Sequence, residues 1–124
     1  MSTSASLVIV VDDDESLRES LPELLSTYGY RAVAFASAED FLASGRIGDT
    51  SCLVLDIAMP GMSGLDLQRE LKRRRHSIPI VFITAHTSQV DRERLMKQGA
   101  IACLFKPFDP SALIDAIKVA VPAR

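Results

Sequence analysis

Residues 7–15 read LVIVVDDDE, five apolar residues followed at once by four acidic ones. The apolar part is continuous and rich in β-branched side chains, which is typical of a parallel strand covered on both faces. In an open parallel sheet, ligands bind beyond the carboxyl ends of the strands. The segment therefore predicts a buried central strand that ends in a polar, acidic site.

The same alternation of a short apolar run and a longer amphipathic stretch occurs five times along the chain. The other apolar runs are residues 31–35, 52–55, 80–83 and 101–105, and helical patterns follow each run. Regular strand–helix alternation predicts a parallel sheet with helices on both faces and right-handed connections. We expect an α/β fold of the (βα)5 type, a doubly wound five-stranded parallel sheet. The run at 31–35 alternates large and small residues, which suits an edge strand.

Length and composition limit the class of protein. The chain has 124 residues, 14 basic against 16 acidic, and a net charge of −2. This size predicts a single domain, and this charge does not favour direct binding of nucleic acid. No apolar run reaches 18 residues, and the first residues lack a secretory pattern, so we expect a cytoplasmic protein without a membrane span. Cys52 and Cys103 both lie in apolar runs and are expected to be reduced core residues.

Polar side chains follow four of the five predicted strands. Asp12 and Asp13 follow the first, Asp56 the third, Thr84 the fourth and Lys106 the fifth. Carboxylates gathered at one sheet edge repel one another and need a cation or protons, and an all-oxygen ligand set favours Mg²⁺ over zinc. A carboxylate beside a metal, an ammonium and a hydroxyl can accept a phosphoryl group. We expect Asp56, on a central strand, to be the nucleophile and the first two aspartates to hold the metal.

Each of these features has a simpler explanation when taken alone. The acidic run at 12–15 could be a solvated turn in which Asp14 or Glu15 complements the start of a helix. Thr84 alone could be a helix cap, and Lys106 alone could be a surface charge. Their coincidence at four strand ends favours a functional site. The cationic run at 72–75 is interpreted as a solvated helix end.

The chain resembles the receiver domain of bacterial two-component response regulators over residues 7–121. The matching motifs are DD at 12–13, D at 56 followed by MPG at 59–61 and G at 64, TA at 84–85 and KPF at 106–108. Several short sequence segments are most similar to those of receivers of the FixJ class. The resemblance implies a flavodoxin-like strand order of 2-1-3-4-5. Residues 1–6 would be a disordered N-terminal segment and residues 122–124 a C-terminal tail.

The resemblance also implies a metal site. Asp13 and Asp56 would hold Mg²⁺ through their side chains, Ala58 through its backbone carbonyl and Asp12 through water. The chain would be a phosphoacceptor switch, not an enzyme that turns over substrates.

The resemblance implies a phosphoryl site as well. Asp56 would be phosphorylated by a sensor histidine kinase, and Thr84 and Lys106 would contact the phosphoryl oxygens. The peptide bond before Pro107 would be cis. Phosphorylation would alter a partner-binding surface and could support a weak homodimer.

Three features depart from the family pattern. The position of the family's aromatic switch residue is occupied by Cys103. The predicted fourth helix offers few apolar residues, so we expect it to pack loosely. The family class usually carries a DNA-binding effector domain after the receiver, and this sequence ends at Arg124. Output would pass either to a downstream protein partner or to a missing C-terminal effector domain.

Two other functions fit the same topology. A small Mg²⁺-dependent phosphatase or phosphotransferase would also use an aspartyl-phosphate intermediate, but its pattern has a second aspartate where this chain has Ala58. A flavin carrier would need a phosphate-binding loop of small and hydroxylated residues after the first strand. Four carboxylates occupy that place, and they would repel a flavin phosphate.

Overall fold

The computed structural model describes residues 6–85 and 89–121. Residues 1–5 of the expected N-terminal segment and the expected tail at 122–124 lie outside these ranges. Strands and helices alternate along the chain, as the sequence pattern predicts. They are β1 (Leu7–Val11), α1 (Glu15–Thr27), β2 (Arg31–Phe35), α2 (Ala38–Ala43), β3 (Thr50–Asp56), α3 (Gly64–Arg73), β4 (Ile80–Thr84), α4 (Gln89–Lys97), β5 (Ala102–Phe105) and α5 (Pro110–Ala120).

The five strands form one parallel sheet in the order β2-β1-β3-β4-β5, which confirms the expected topology. The carboxyl ends of neighbouring strands lie in register, with Val11 opposite Leu55 and Thr84 opposite Phe105. The residues that follow these ends are therefore close in space. This register carries the polar side chains of four separate segments to one sheet edge.

The sheet separates two apolar cores. Alternate residues of each central strand face opposite sides, because successive side chains of a strand point in opposite directions. Ile9 packs with Phe41 of α2 and the buried residues of α3 and α4, whereas Val10 packs with Leu25 of α1 and the buried residues of α5. Both faces are covered, which explains the continuous apolar runs at 7–11, 52–55 and 80–83 in the central strands. Within the described ranges, no helix is long and apolar enough to cross a bilayer.

Some element boundaries differ from the sequence expectation. The sequence predicts that the cationic run at 72–75 forms the end of a helix, but α3 ends at Arg73, and Arg75 has a φ of 64°, which is incompatible with a continuing helix. The third strand begins at Thr50, before the apolar run at 52–55, and directly follows a 3₁₀ turn at Ile47–Asp49. Neither difference moves a residue of the acidic sheet edge.

Candidate functional site

Three carboxylates meet where β1 and β3 end. Asp12, Asp13 and Asp56 each offer an oxygen, and these oxygens lie within 4.8 Å of one another. Asp12 is 0% exposed and Asp56 is 4% exposed, whereas Asp13 is open to solvent. The group is thus buried on one side and accessible on the other.

Backbone contacts fix the position of Asp12. Its amide donates to the carbonyl of Phe35 at 3.1 Å, and its Oδ1 accepts from the amide of Asp14 at 2.8 Å. Its own carbonyl accepts from Nη1 of Arg18 at 3.2 Å. The end of β2 offered no polar side chain in the sequence, yet it takes part in the site through the Phe35 carbonyl.

The acidic run divides between two roles. Asp14 is the N-cap of α1, and its Oδ1 accepts from the amides of Ser16 at 2.9 Å and Leu17 at 3.4 Å. An aspartate at this position satisfies amides that have no partner within the helix. The cap and the site are therefore both present in the run, one at Asp14 and the other at Asp12 and Asp13.

Lys106 bridges two of the carboxylates. Its Nζ lies 2.9 Å from Oδ2 of Asp12 and 3.7 Å from Oδ2 of Asp56. Burial lowers the pKa of Lys106, but the hydrogen bond and charge of Asp12, with the charges of Asp56 and Asp14, outweigh this effect and raise it. The peptide bond from Lys106 to Pro107 is cis. Lys106 is thus a partner of the acidic group and not an isolated surface charge.

The charge at this edge is not balanced. Burial and the charges of Asp12 and Asp13 raise the pKa of Asp56 to about 7, although Lys106 acts in the opposite direction. One ammonium facing three carboxylates leaves a net negative site when all are ionised. An oxygen-only donor set with excess negative charge fits a hard divalent cation.

Thr84 and Ala58 lie at the carboxyl ends of β4 and β3. Thr84 is the last residue of β4 and is 3% exposed, and its carbonyl accepts from the amide of Lys106 at 2.7 Å. Ala58 lies two residues after Asp56, in the loop that leaves β3, and is exposed. Cys103, at the family switch position, is buried in the same core as Leu95 of α4.

The start of α3 packs directly against the end of β3. The amide of Gly64 donates to the carbonyl of Ile57 at 2.9 Å. A Cβ at position 64 would lie 2.5 Å from the Asp56 carbonyl oxygen and 3.0 Å from the Ile57 Cα. Glycine is required here because any side chain would push the helix away from the strand that carries Asp56.

Comparison with known proteins gives one consistent family. Residues 8–118 match the family described as the response regulator receiver domain. Nodulation protein W of Bradyrhizobium diazoefficiens is 46% identical over 119 residues, covering 96% of this chain and 52% of that protein. Transcriptional regulatory protein FixJ of Azorhizobium caulinodans is 40% identical over 114 residues, covering 92% of this chain and 54% of that protein.

A solved structure agrees with these relatives. The response regulator StyR superposes with a TM-score of 0.86 at 49% identity, covering 93% of this chain and 58% of that one. The chain spans about half the length of the curated relatives it matches. The phosphatase alternative finds no support among these matches. The chain therefore belongs to the receiver domain family of response regulators.

Proposed function

We propose that this chain is the phosphoryl-accepting switch of a two-component system and that Asp56 is the acceptor. The observation that carries the proposal is the setting of the Asp56 carboxylate. It shares a cluster with two other carboxylates and lies 3.7 Å from the ammonium of Lys106. This arrangement combines a nucleophile, a cation and a set of metal ligands at one sheet edge.

The acidic cluster would hold Mg²⁺ beside the acceptor. Asp13 and Asp56 would bind it through carboxylate oxygens, Ala58 through its carbonyl and Asp12 through a water molecule. When bound, Mg²⁺ neutralises the phosphoryl oxygens and reduces their repulsion from the carboxylate. A cation in this cluster also favours the ionised form of Asp56, whose pKa is otherwise raised to about 7.

The proposed transfer step uses the side chains of Asp56, Lys106 and Thr84. One carboxylate oxygen of Asp56 forms a bond to phosphorus as the phosphorus–nitrogen bond of the kinase phosphohistidine breaks. The electron pair of that bond remains on the imidazole nitrogen. The Lys106 ammonium and the Thr84 hydroxyl would donate to the phosphoryl oxygens, which carry the charge of the transition state.

Output would leave the site through α4 and the loop before it. Of the described α4 side chains, at residues 92–97, only Leu95 is buried. The described part of α4 buries little surface, and a helix segment of this kind can shift at low cost when Thr84 contacts a phosphoryl group. Cys103 lacks a ring that could rotate between two positions, so it would remain a core residue in both states.

The partners belong to the same proposal. A sensor histidine kinase would supply the phosphoryl group in the cytoplasm. The altered surface would be read by a downstream protein or by a C-terminal DNA-binding effector domain, and phosphorylation could support a weak homodimer. The relative FixJ is a transcriptional regulatory protein, which favours the effector domain. This chain itself would bind neither nucleic acid nor membrane.

Intact-mass measurement with acetyl phosphate tests the proposal. With Mg²⁺, the wild-type chain should gain the mass of one phosphoryl group. Chelation of Mg²⁺ or the substitution Asp56→Asn should abolish the gain, because the amide is not a nucleophile. Undiminished labelling of the Asp56→Asn variant would refute the assignment.

A further inference from the structure

The loop between β3 and α3 is fixed by hydrogen bonds from three consecutive amides. The acceptors are Glu39 Oε2 at 3.3 Å for Met62, Asp66 Oδ2 at 3.1 Å for Ser63 and the Ile57 carbonyl at 2.9 Å for Gly64. Asp66 belongs to α3 and Ile57 to the start of the loop itself. Glu39 alone among these acceptors comes from another part of the chain, the first turn of α2.

The approach of the loop to Glu39 depends on a glycine. Gly61 has a φ of 74°, in the left-handed region that other residues rarely adopt. A Cβ at this position would lie 2.7 Å from Oε2 of Glu39. A side chain at this position would be strained by the positive φ and would require the exposed carboxylate of Glu39 to move. Because Glu39 lies in the first turn of a helix capped by Ser37, the helix dipole favours its charge.

The same β2–α2 unit contacts the site at a second point. The carbonyl of Phe35, the last residue of β2, accepts from the amide of Asp12. Asp12 and the loop that carries Ala58 are thus both held against one unit, the first at the end of β2 and the second at the start of α2. A metal ion shared by Asp12 and the Ala58 carbonyl would have to span the gap between these two segments.

We propose that Glu39 is a positioning residue for the metal site: its contact with the Met62 amide and Gly61 holds the loop so that the Ala58 carbonyl faces the carboxylates. This inference rests on the proposed function, because it concerns the same Mg²⁺ ligands. Glu39 acts through the loop and does not bind the metal. A preorganised ligand set binds more tightly because less conformational freedom is lost when the metal binds.

Three variants separate the hydrogen bond from the charge. Glu39→Ala removes both, Glu39→Gln keeps an oxygen acceptor but removes the charge, and Asp40→Ala removes an equal charge from the same helical turn. We expect Glu39→Ala to weaken Mg²⁺ binding about three- to tenfold in calorimetric titration. The Glu39→Gln and Asp40→Ala variants should stay within about twofold of the wild type.

Amide exchange of the metal-free protein gives a readout independent of activity. Loss of protection at the Met62 amide is expected in Glu39→Ala and not in Glu39→Gln or Asp40→Ala. Since Glu39 is exposed, all three variants should fold.

Several results would overturn the inference. One is an unchanged Mg²⁺ affinity or an unchanged exchange rate of the Met62 amide in Glu39→Ala. Another is an equal loss of Mg²⁺ affinity in Glu39→Gln and Glu39→Ala, which would assign the effect to charge. Absence of Mg²⁺ binding by the wild type would also overturn it. If the wild type binds Mg²⁺ but accepts no phosphoryl group, the proposed function fails while the positioning role of Glu39 stands or falls on the binding data.

Discussion

Asp56 and Lys106 show how individual side chains determine the electrostatics of this site. Asp56 is almost fully buried among like charges, and its pKa is raised to about 7. Among the described ion pairs, Lys106 supplies the only cation paired with the carboxylates of the cluster, at 2.9 Å from Asp12 Oδ2. The metal-free site is therefore strained electrostatically, and this strain is measurable through the free energy of unfolding.

The first prediction concerns Asp56 and pH. An aspartate in an unfolded chain has a pKa of about 3.9, so the carboxyl group of Asp56 binds its proton more tightly in the folded protein than in the unfolded chain. Stability should fall as the pH rises from about 4 to about 7, and the full loss should be present above that range. Asp56→Asn, uncharged at every pH, should raise the Tm of the metal-free protein by about 3–8 °C at pH 8 and change it little at pH 4. An equal effect at both pH values in EDTA-containing melts would contradict the charge argument.

The second prediction concerns Lys106. Lys106→Met leaves the buried Asp12 carboxylate without its ion-pair partner, so the metal-free protein should lose about 2–4 kcal/mol of stability at pH 8. Removing the ammonium also removes its repulsion of a divalent cation, so added Mg²⁺ should raise the Tm of this variant more than that of the wild type. Lys118→Met, on an exposed lysine near the ring of Tyr28, is the control and should change neither quantity. Equal Mg²⁺-induced gains in wild type and Lys106→Met would argue against a metal beside Lys106.

At the scale of strands and helices, the sequence predicted the architecture well because periodicity and turn residues agree along the chain. The continuous apolar runs identified β1 and β4, and the alternating run identified β2 as an edge strand. The end of α3 was placed two residues too late, because four cations after a helical pattern suit a helix end without fixing where it falls.

Within the site, the residue types were predictable from the strand ends, but their contacts were not. Neither the ion pair of Lys106 with Asp12 nor the contact of Glu39 with Met62 leaves a local pattern, because each joins segments far apart in sequence. The role of the Phe35 carbonyl was missed for a different reason: backbone groups carry no signature in the amino-acid sequence.

The third prediction concerns the junction of β3 and α3. Gly64→Ala would place a Cβ against two backbone atoms, which cannot move without shifting the helix or the strand. The variant should lose about 1–3 kcal/mol of stability and accept the phosphoryl group more slowly. Gly48→Ala is a matched control, since no heavy atom lies within 4 Å of its added Cβ. Urea unfolding should place this control within about 0.5 kcal/mol of the wild type. Similar losses in the two variants would show that the close approach at Gly64 does not matter.

At the scale of the whole molecule, the sheet connects one acidic edge to two separate cores. Any cation bound at that edge joins the segments after β1 and β3 and should stabilise the entire domain, because it binds the folded state alone. Metal binding at the acidic cluster would thus be coupled to global unfolding.

The fourth prediction tests this link through Asp13. Asp13 is exposed and shares the cluster with two buried carboxylates. Asp13→Asn should leave the metal-free protein as stable as the wild type or more so, since one repulsive charge is removed. It should also weaken Mg²⁺ binding about tenfold. At the same Mg²⁺ concentration well above the dissociation constant, the stabilisation that Mg²⁺ provides should then be smaller by about 1.4 kcal/mol. Melting curves with and without Mg²⁺ measure both effects, and a large loss of stability in the metal-free variant would contradict the crowding argument.

Identification of the phosphorylated atom tests the central claim most directly. Hydroxylamine converts an aspartyl phosphate into a hydroxamate, which marks the acceptor in a peptide mass map. After treatment with acetyl phosphate and Mg²⁺, this account predicts the hydroxamate at Asp56 and unmodified Asp12 and Asp13. A hydroxamate at either residue of the β1 end, or none at all in a chain that has gained the phosphoryl mass, would contradict the assignment of Asp56 as the acceptor.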